Sequence, residues 1–231
     1  MKKVLIIGAN RGLGLGFVKY YLENGFKVYA TARASSDIKS LKDLSARFNE
    51  ALNIYELHVD NEDSIGKFVN KLTSETLYFD IVINSAGVCI EEAFGKWTAQ
   101  GFYEQISTNL IGAALVSQAI ISFLSKGSKL IQLTSGMGSI ELNINPEIGL
   151  DAYAVSKCGL NMLTRRLSEK VRNKGIIVVA INPGWVQTDM GGSSAPTPIS
   201  VAIKTITKTI NSLSIVNSGD FISTDGKKMP W

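Results

Sequence analysis

Histidine is almost absent from this chain: His58 is the only one among 231 residues. That removes the serine–histidine pairs of hydrolases and the usual zinc centres, so no metal site is expected and His58 reads as structural. Cysteine is scarce as well. Cys89 and Cys158 show no metal-ligand spacing, and two in a long chain make no disulfide framework, which points to a reducing compartment. There is no run of Lys or Arg that would track a nucleic-acid backbone, because the net charge of +4 comes from 24 basic and 20 acidic residues scattered along the chain. Nucleic acid is therefore not an expected partner. Nor is there an uninterrupted apolar run of about 18 residues that would span a bilayer. The apolar run Val4–Ile7 is too short for a signal-peptide core. The expected setting is cytoplasmic, with no membrane partner. Repeats, linkers and low-complexity segments are missing too, and the 45% apolar content fits one domain spanning residues 1–231.

What is present alternates between two periodicities. Val4–Ile7 is a fully apolar, β-rich run suited to a strand buried on both faces. It leads into Gly8-Ala-Asn-Arg-Gly12-Leu-Gly14 and then a helical pattern from Leu15 to Leu22. Glycines at a strand-to-helix turn let the backbone approach a pyrophosphate, and the helix N-terminus offers unpaired N–H groups and a favourable dipole. Further β-rich runs cover Lys27–Ala32, Leu52–Val59, Phe79–Ile83, Ser128–Thr134, Gly175–Asn182 and Gly219–Ile222. Helical patterns lie between them, at Asp37–Phe48, from Glu62, at Gly101–Leu124, around Tyr153 and at Val201–Leu213. This alternation predicts an α/β fold: a doubly wound, Rossmann-type three-layer sandwich around a central, mostly parallel sheet of about seven strands.

Ligands of such sheets collect at the carboxyl ends of the strands. Arg33 ends the second strand, where an arginine accommodates a ribose 2′-phosphate, and Arg11 in the glycine loop is placed to join it, so NADP(H) is expected rather than NAD. Asp60 ends the third strand, where its carboxylate either accepts from the adenine amine or caps the next helix. Asn84-Ser-Ala-Gly87 follows the fourth strand, Ser135 the fifth and Pro183-Gly184 the sixth. Asn109 falls mid-helix, either exposed or committed to a specific partner. The stretch from Asp189 to Pro198, with Gly191 to Pro196 as its short polar core, suggests a mobile cover, and Trp231 an aromatic anchor on that cover or on a neighbouring subunit.

Tyr153 and Lys157 stand one helical turn apart, after Asp151 as the expected cap, and so share a face. A phenol has a pKa near ~10, and an ammonium within reach lowers it by roughly 1–3 units, into the range of general acid–base work. Such a pair gives a proton to a carbonyl oxygen or takes one from an alcohol. A bare Tyr-x-x-x-Lys also fits an ordinary surface helix, so its context decides.

In order and spacing, Gly8-x-x-x-Gly12-x-Gly14, Asn84-Ser-Ala-Gly87, Asn109, Ser135, Tyr153-x-x-x-Lys157 and Pro183-Gly184 resemble the short-chain dehydrogenase/reductase family along nearly the whole chain. Asp189-Met-Gly-Gly, Asp225-Gly and Pro230-Trp231 are similar to its C-factor and sniffer-type carbonyl reductase branch. The resemblance implies that Tyr153 is the catalytic acid or base and that Lys157 lowers its pKa and holds the nicotinamide ribose. It implies that Ser135 bonds the substrate oxygen and that Asn109 holds a relay water behind Lys157. Gly8, Asn10, Arg11, Gly12, Leu13 and Gly14 would cradle the pyrophosphate, with Asn84, Ala86 and Gly87 on the adenosine side. Pro183, Gly184, Val186 and Thr188 would lie at the cofactor, the last two at its carboxamide. Two departures stand out, Ile7 where threonine is usual and Ser85 where asparagine is usual.

The expected reaction is NADPH-dependent reduction of aldehydes and ketones to alcohols. Cys89, Met137, Leu142, Ile144, Trp185 and Met190 are the candidate walls for an apolar or aromatic substrate. The same residues would support an alcohol dehydrogenase working oxidatively, and the rival of another class is an NADP(H)-sensing regulator. The resemblance further implies pairing of the helices bearing Asn109 and Tyr153, as a homodimer or homotetramer, with a monomer also open.

Overall fold

A computed structural model describes residues 1–231. Seven strands, β1 (Lys3–Ile7), β2 (Lys27–Ala32), β3 (Leu52–Glu56), β4 (Phe79–Asn84), β5 (Leu124–Leu133), β6 (Ile177–Ile181) and β7 (Phe221–Ile222), form one sheet. Its order is β3-β2-β1-β4-β5-β6-β7, and every pairing is parallel. Seven α-helices flank it: α1 (Gly12–Glu23), α2 (Lys39–Phe48), α3 (Glu62–Ser74), α4 (Ala99–Ile106), α5 (Ala113–Ile120), α6 (Asp151–Lys170) and α7 (Ile199–Ser212).

Strand periodicity sends alternate residues of β1 into opposite layers. Val4 and Ile6 join a core with Phe17, Val18 and Tyr21 of α1 and Ile203, Ile206 and Ile210 of α7. Leu5 and Ile7 join the other, with Phe68 and Leu72 of α3, Val116 and Ile120 of α5 and Leu167 of α6. The strand order reverses between β1 and β4, and the crevice of a doubly wound sheet opens at that switch point.

The helix expected over 101–124 is not continuous. A π turn, Ser107–Gly112, separates α4 from α5, and a 3-10 turn, Ile121–Phe123, closes the run. At Gly112 the run passes so close to β3's loop that a Cβ would lie 2.9 Å from the carbonyl oxygen of Val59. Ala99–Phe123 is long and apolar enough for a membrane span by length and composition only, a test that buried core helices also pass. Here it packs on α6 and buries Gln105, Ser107 and Asn109.

Two expected caps are also replaced. Asn61, not Asp60, caps α3, its Oδ1 accepting from Ser64 N at 2.8 Å. Asp151 is the first residue of α6 rather than its cap, a place where a carboxylate meets the positive end of the helix dipole.

Candidate active site

The glycine loop is built by close approach. Gly8 has φ +76°, and a Cβ there would lie 2.7 Å from Cα of Ala86. A Cβ on Gly14 would overlap the carbonyl oxygen of Gly8. Ile7 cannot supply a side-chain hydrogen bond, and buried Thr31 of the adjacent β2 does so instead. Gly8 N donates to Thr31 Oγ1 at 3.3 Å and Ala9 N to Thr31 O at 2.8 Å. Ser85 N donates to Ile7 O at 2.9 Å, so the loop is held from both sides. Sequence reasoning missed Thr31; the one signal was a threonine inside an otherwise apolar buried strand.

Gly8, Asn10, Arg11, Gly12 and Leu13 line a cleft holding about 1170 Å³ of space, its mouth included. Arg33, Asp60, Ala86, Gly87, Tyr153, Lys157, Pro183 and Thr188 line it too, together with Ser36, Thr108 and Asp189, which were not anticipated. Six expected residues lie off this surface. Gly14 serves loop packing, and Val186 is buried in the core. Asn84 is committed to the sheet, its Nδ2 donating to Gln132 Oε1 at 2.8 Å and its Oδ1 accepting from Ala86 N at 3.3 Å. Gly184, Asn109 and Ser135 also stand behind or beside the lining.

At the adenosine end the two arginines differ. Arg11 Nη1 lies 3.4 Å from Asp189 Oδ2, both side chains exposed, whereas Arg33 makes no ion pair. His58 ties the ends of β2 and β3 together: its Nε2 accepts from Ala34 N at 3.3 Å, and its N–H donates to Ser64 Oγ at 2.9 Å.

At the other end, α6 places Tyr153 and Lys157 on the cleft. Lys157 is buried, its Nζ donating to Leu133 O at 3.0 Å and lying 5.6 Å from the Tyr153 ring centre. Burial pushes its pKa down to about 8. Burial also pushes the Tyr153 phenol up, Cys89 adds to that, and a hydrogen bond with Ser135 opposes it. The expected lowering by Lys157 is absent: with Nζ turned to a carbonyl, desolvation of the phenolate dominates.

The chain as a whole is similar to known proteins. A family model described as short chain dehydrogenase matches residues 2–198. This chain belongs to that family. A C-signal protein of Myxococcus xanthus is 34% identical over 160 residues, 66% of this chain and 92% of its own. The carbonyl reductase Sniffer of D. melanogaster superposes with a TM-score of 0.92 at 31% identity, over 100% of both chains. An NADPH-bound carbonyl reductase from chicken fatty liver superposes with 0.93 at 31% identity, over 100% of this chain and 94% of that one.

Asn109 is the mid-helix asparagine of this short-chain dehydrogenase, and the structure decides between exposure and commitment. It is 1% exposed. Its Oδ1 accepts from Val88 N at 2.8 Å, and its Nδ2 donates to Val88 O at 2.8 Å and Ser156 Oγ at 2.9 Å. The amide thus fastens the loop after β4 to α6. That loop carries Cys89, whose thiol burial pushes up to about 11.

Of the expected pocket walls, Met190 lines the cleft and Trp185 Nε1 donates to Gly191 O at 2.7 Å. The expected cover is tied down by Gln187, whose N–H donates to Thr197 O at 2.9 Å and whose Nε2 donates to Ala195 O at 2.9 Å. Trp231 packs on Phe221, with ring centres 5.6 Å apart, rather than on the cover. Its carbonyl accepts from Glu141 N at 2.8 Å, which holds the loop bearing Leu142 and Ile144.

Proposed function

We propose that this short-chain dehydrogenase reduces aldehydes and ketones to alcohols with NADPH, Tyr153 acting as general acid. The observation that carries the reading is that Tyr153 and Lys157 line the same cleft as the glycine loop. The residues present fit the dinucleotide. A Cβ on Gly12 would meet nothing nearer than Thr188 at 3.6 Å, which leaves the loop open to a pyrophosphate. Arg33 stands without an ion-pair partner where a 2′-phosphate is recognised.

Bound NADPH supplies the hydride; the protein supplies the proton and the placement. Ser135 and Tyr153 donate to the substrate oxygen, and Tyr153 releases its proton as negative charge grows there. Burial raises the phenol, which therefore enters the reaction protonated, as the acid role requires. Lys157 holds the nicotinamide ribose through its ammonium. Both Nδ2 donors of Asn109 are committed to Val88 and Ser156, so an acceptor oxygen of this residue is the group that would hold a relay water.

The segments that flank this end, 88–95 and 135–151, carry Glu91, Glu92, Glu141, Glu147 and Asp151 and no lysine or arginine. That balance favours neutral, apolar or aromatic carbonyl compounds over anionic ones. Ile111, Val155 and Met162, exposed on the π turn and α6, support pairing of two copies through these helices. The complete set of Asn109, Ser135, Tyr153 and Lys157 argues against a pure NADP(H) sensor, which would need no acid.

The test is the initial rate of NADPH consumption over aromatic and aliphatic carbonyls, for wild type and Tyr153→Phe, with NADH alongside. Turnover with NADPH should fall at least about a hundredfold in the variant. Tight NADPH binding with no turnover of any carbonyl would sink the reading, as would a fully active variant.

A further inference from the structure

We propose that Asn161 is a positioning residue whose buried side-chain amide sets the distance between Ser135 and Tyr153 by fastening both flanks of Ser135 to α6. The inference rests on the catalytic roles given above to Ser135 and Tyr153. Asn161 lies one turn beyond Lys157 and two beyond Tyr153 on α6, and is 2% exposed. It does not line the cleft.

Its two ends reach either side of Ser135. Asn161 Oδ1 accepts from Thr134 Oγ1 at 2.7 Å, and Thr134 immediately precedes Ser135. Asn161 Nδ2 donates to Gly138 O at 3.1 Å, and Gly138 closes the 3-10 turn (Gly136–Gly138) that Ser135 caps. Within that turn Ser135 Oγ accepts from Met137 N at 3.2 Å and Gly138 N donates to Ser135 O at 3.0 Å. The four-residue unit is therefore stiff in itself, and its seat on the helix depends on Asn161.

The seat is also close. A Cβ on Gly138 would lie 2.7 Å from the carbonyl carbon of Lys157 and 2.9 Å from Cys158 N. Only glycine lets the turn rest directly on the backbone of the helix that carries both Tyr153 and Lys157. One amide thus spans the end of β5 and the catalytic helix, two elements that carry the two halves of the oxygen-binding pair. A misplacement of about 1 Å between such groups can cost as much as a hundredfold in rate, while the remote cofactor contacts stay as they were.

The experiment compares wild type, Ser135→Ala, Thr134→Val, Thr134→Ser, Asn161→Leu and the Thr134→Val/Asn161→Leu double variant. Four readouts are taken: kcat and KM for a carbonyl, NADPH affinity by fluorescence, the pH profile of alcohol oxidation, and amide hydrogen exchange at Met137 and Gly138. Thr134→Val and Asn161→Leu should each lower kcat about tenfold or more. The NADPH affinity of Asn161→Leu, which lies off the cleft, should stay within about twofold, whereas Thr134 lines the cleft and Thr134→Val is read on kcat; the double variant should have a kcat no worse than the poorer single one. Thr134→Ser, which keeps the hydroxyl, should retain wild-type kcat. The acid limb of the oxidation profile should move to higher pH as the phenol loses the Ser135 hydrogen bond, and exchange at the two amides should quicken.

Wild-type kcat in the folded variants, losses that multiply independently, or a Thr134→Ser as poor as Thr134→Val would overturn the proposal. Should the apolar variants fail to fold, Gly138→Ala takes their place; it keeps the amide and displaces the turn, and unchanged kcat there is equally fatal. If wild type turns over no carbonyl, or Ser135→Ala is as fast as wild type, the functional reading fails instead. The exchange rates then judge the clamp by themselves.

Discussion

Removing the guanidinium of Arg33 should separate NADPH from NADH. A hydrogen bond to a charged group contributes about 1.5–3 kcal/mol, and exposure places Arg33 at the lower end, because solvent screens the pair. About 1.4 kcal/mol is a factor of ten, so Arg33→Ala should weaken NADPH about tenfold and leave NADH within about twofold. Arg11→Ala should cost less, about threefold, since Asp189 already lies 3.4 Å from its Nη1 and competes for it. The assay is titration of reduced-nicotinamide fluorescence with each variant at two ionic strengths. The wild-type preference should narrow as the screening length falls from about 10 Å at 0.1 M salt to about 3 Å at 1 M. A wild type that prefers NADH, or an Arg33→Ala variant that weakens both nucleotides equally, would refute the assignment of the 2′-phosphate to this strand end.

Lys157 makes activity and stability respond to pH in opposite directions. With its pKa lowered from the usual 10.5 to about 8, kcat/KM should fall as pH rises through about 8 and the ammonium is lost. Between those two values the unfolded chain keeps a proton that the folded chain has shed, so folding stability contributed by this residue rises with pH. Urea unfolding of wild type and Lys157→Met at pH of about 7.5 and 9.5 reads that difference, and a wild-type rate that stays level to about pH 10 would contradict both. Gly14→Ala places a methyl on the carbonyl oxygen of Gly8. It should cost about 1–3 kcal/mol of stability and abolish the rise in melting temperature that NADPH gives wild type, whereas a variant still stabilised by NADPH would show that the loop has room to give.

The sequence by itself determined the layers and the edge where the site lies. Runs such as Val4–Ile7 and Gly175–Asn182 read as strands buried on both faces, and the glycines after the first of them mark a strand-to-helix turn. Tyr153 and Lys157 were legible for the same reason, since a spacing of one turn inside one helix is a local property. Tertiary structure decided everything that rests on two distant segments meeting. The helix through Asn109 breaks into a π turn, and its asparagine bonds Val88 rather than water. Thr31 takes over from the missing threonine at Ile7, Asn61 rather than Asp60 caps α3, and Asn161 reaches across to Thr134 and Gly138. The direction of the Tyr153 shift belongs to this second group. A neighbouring ammonium is visible in a sequence, but the burial that outweighs it is a sum over elements from all parts of the chain, and it exists only once they are packed.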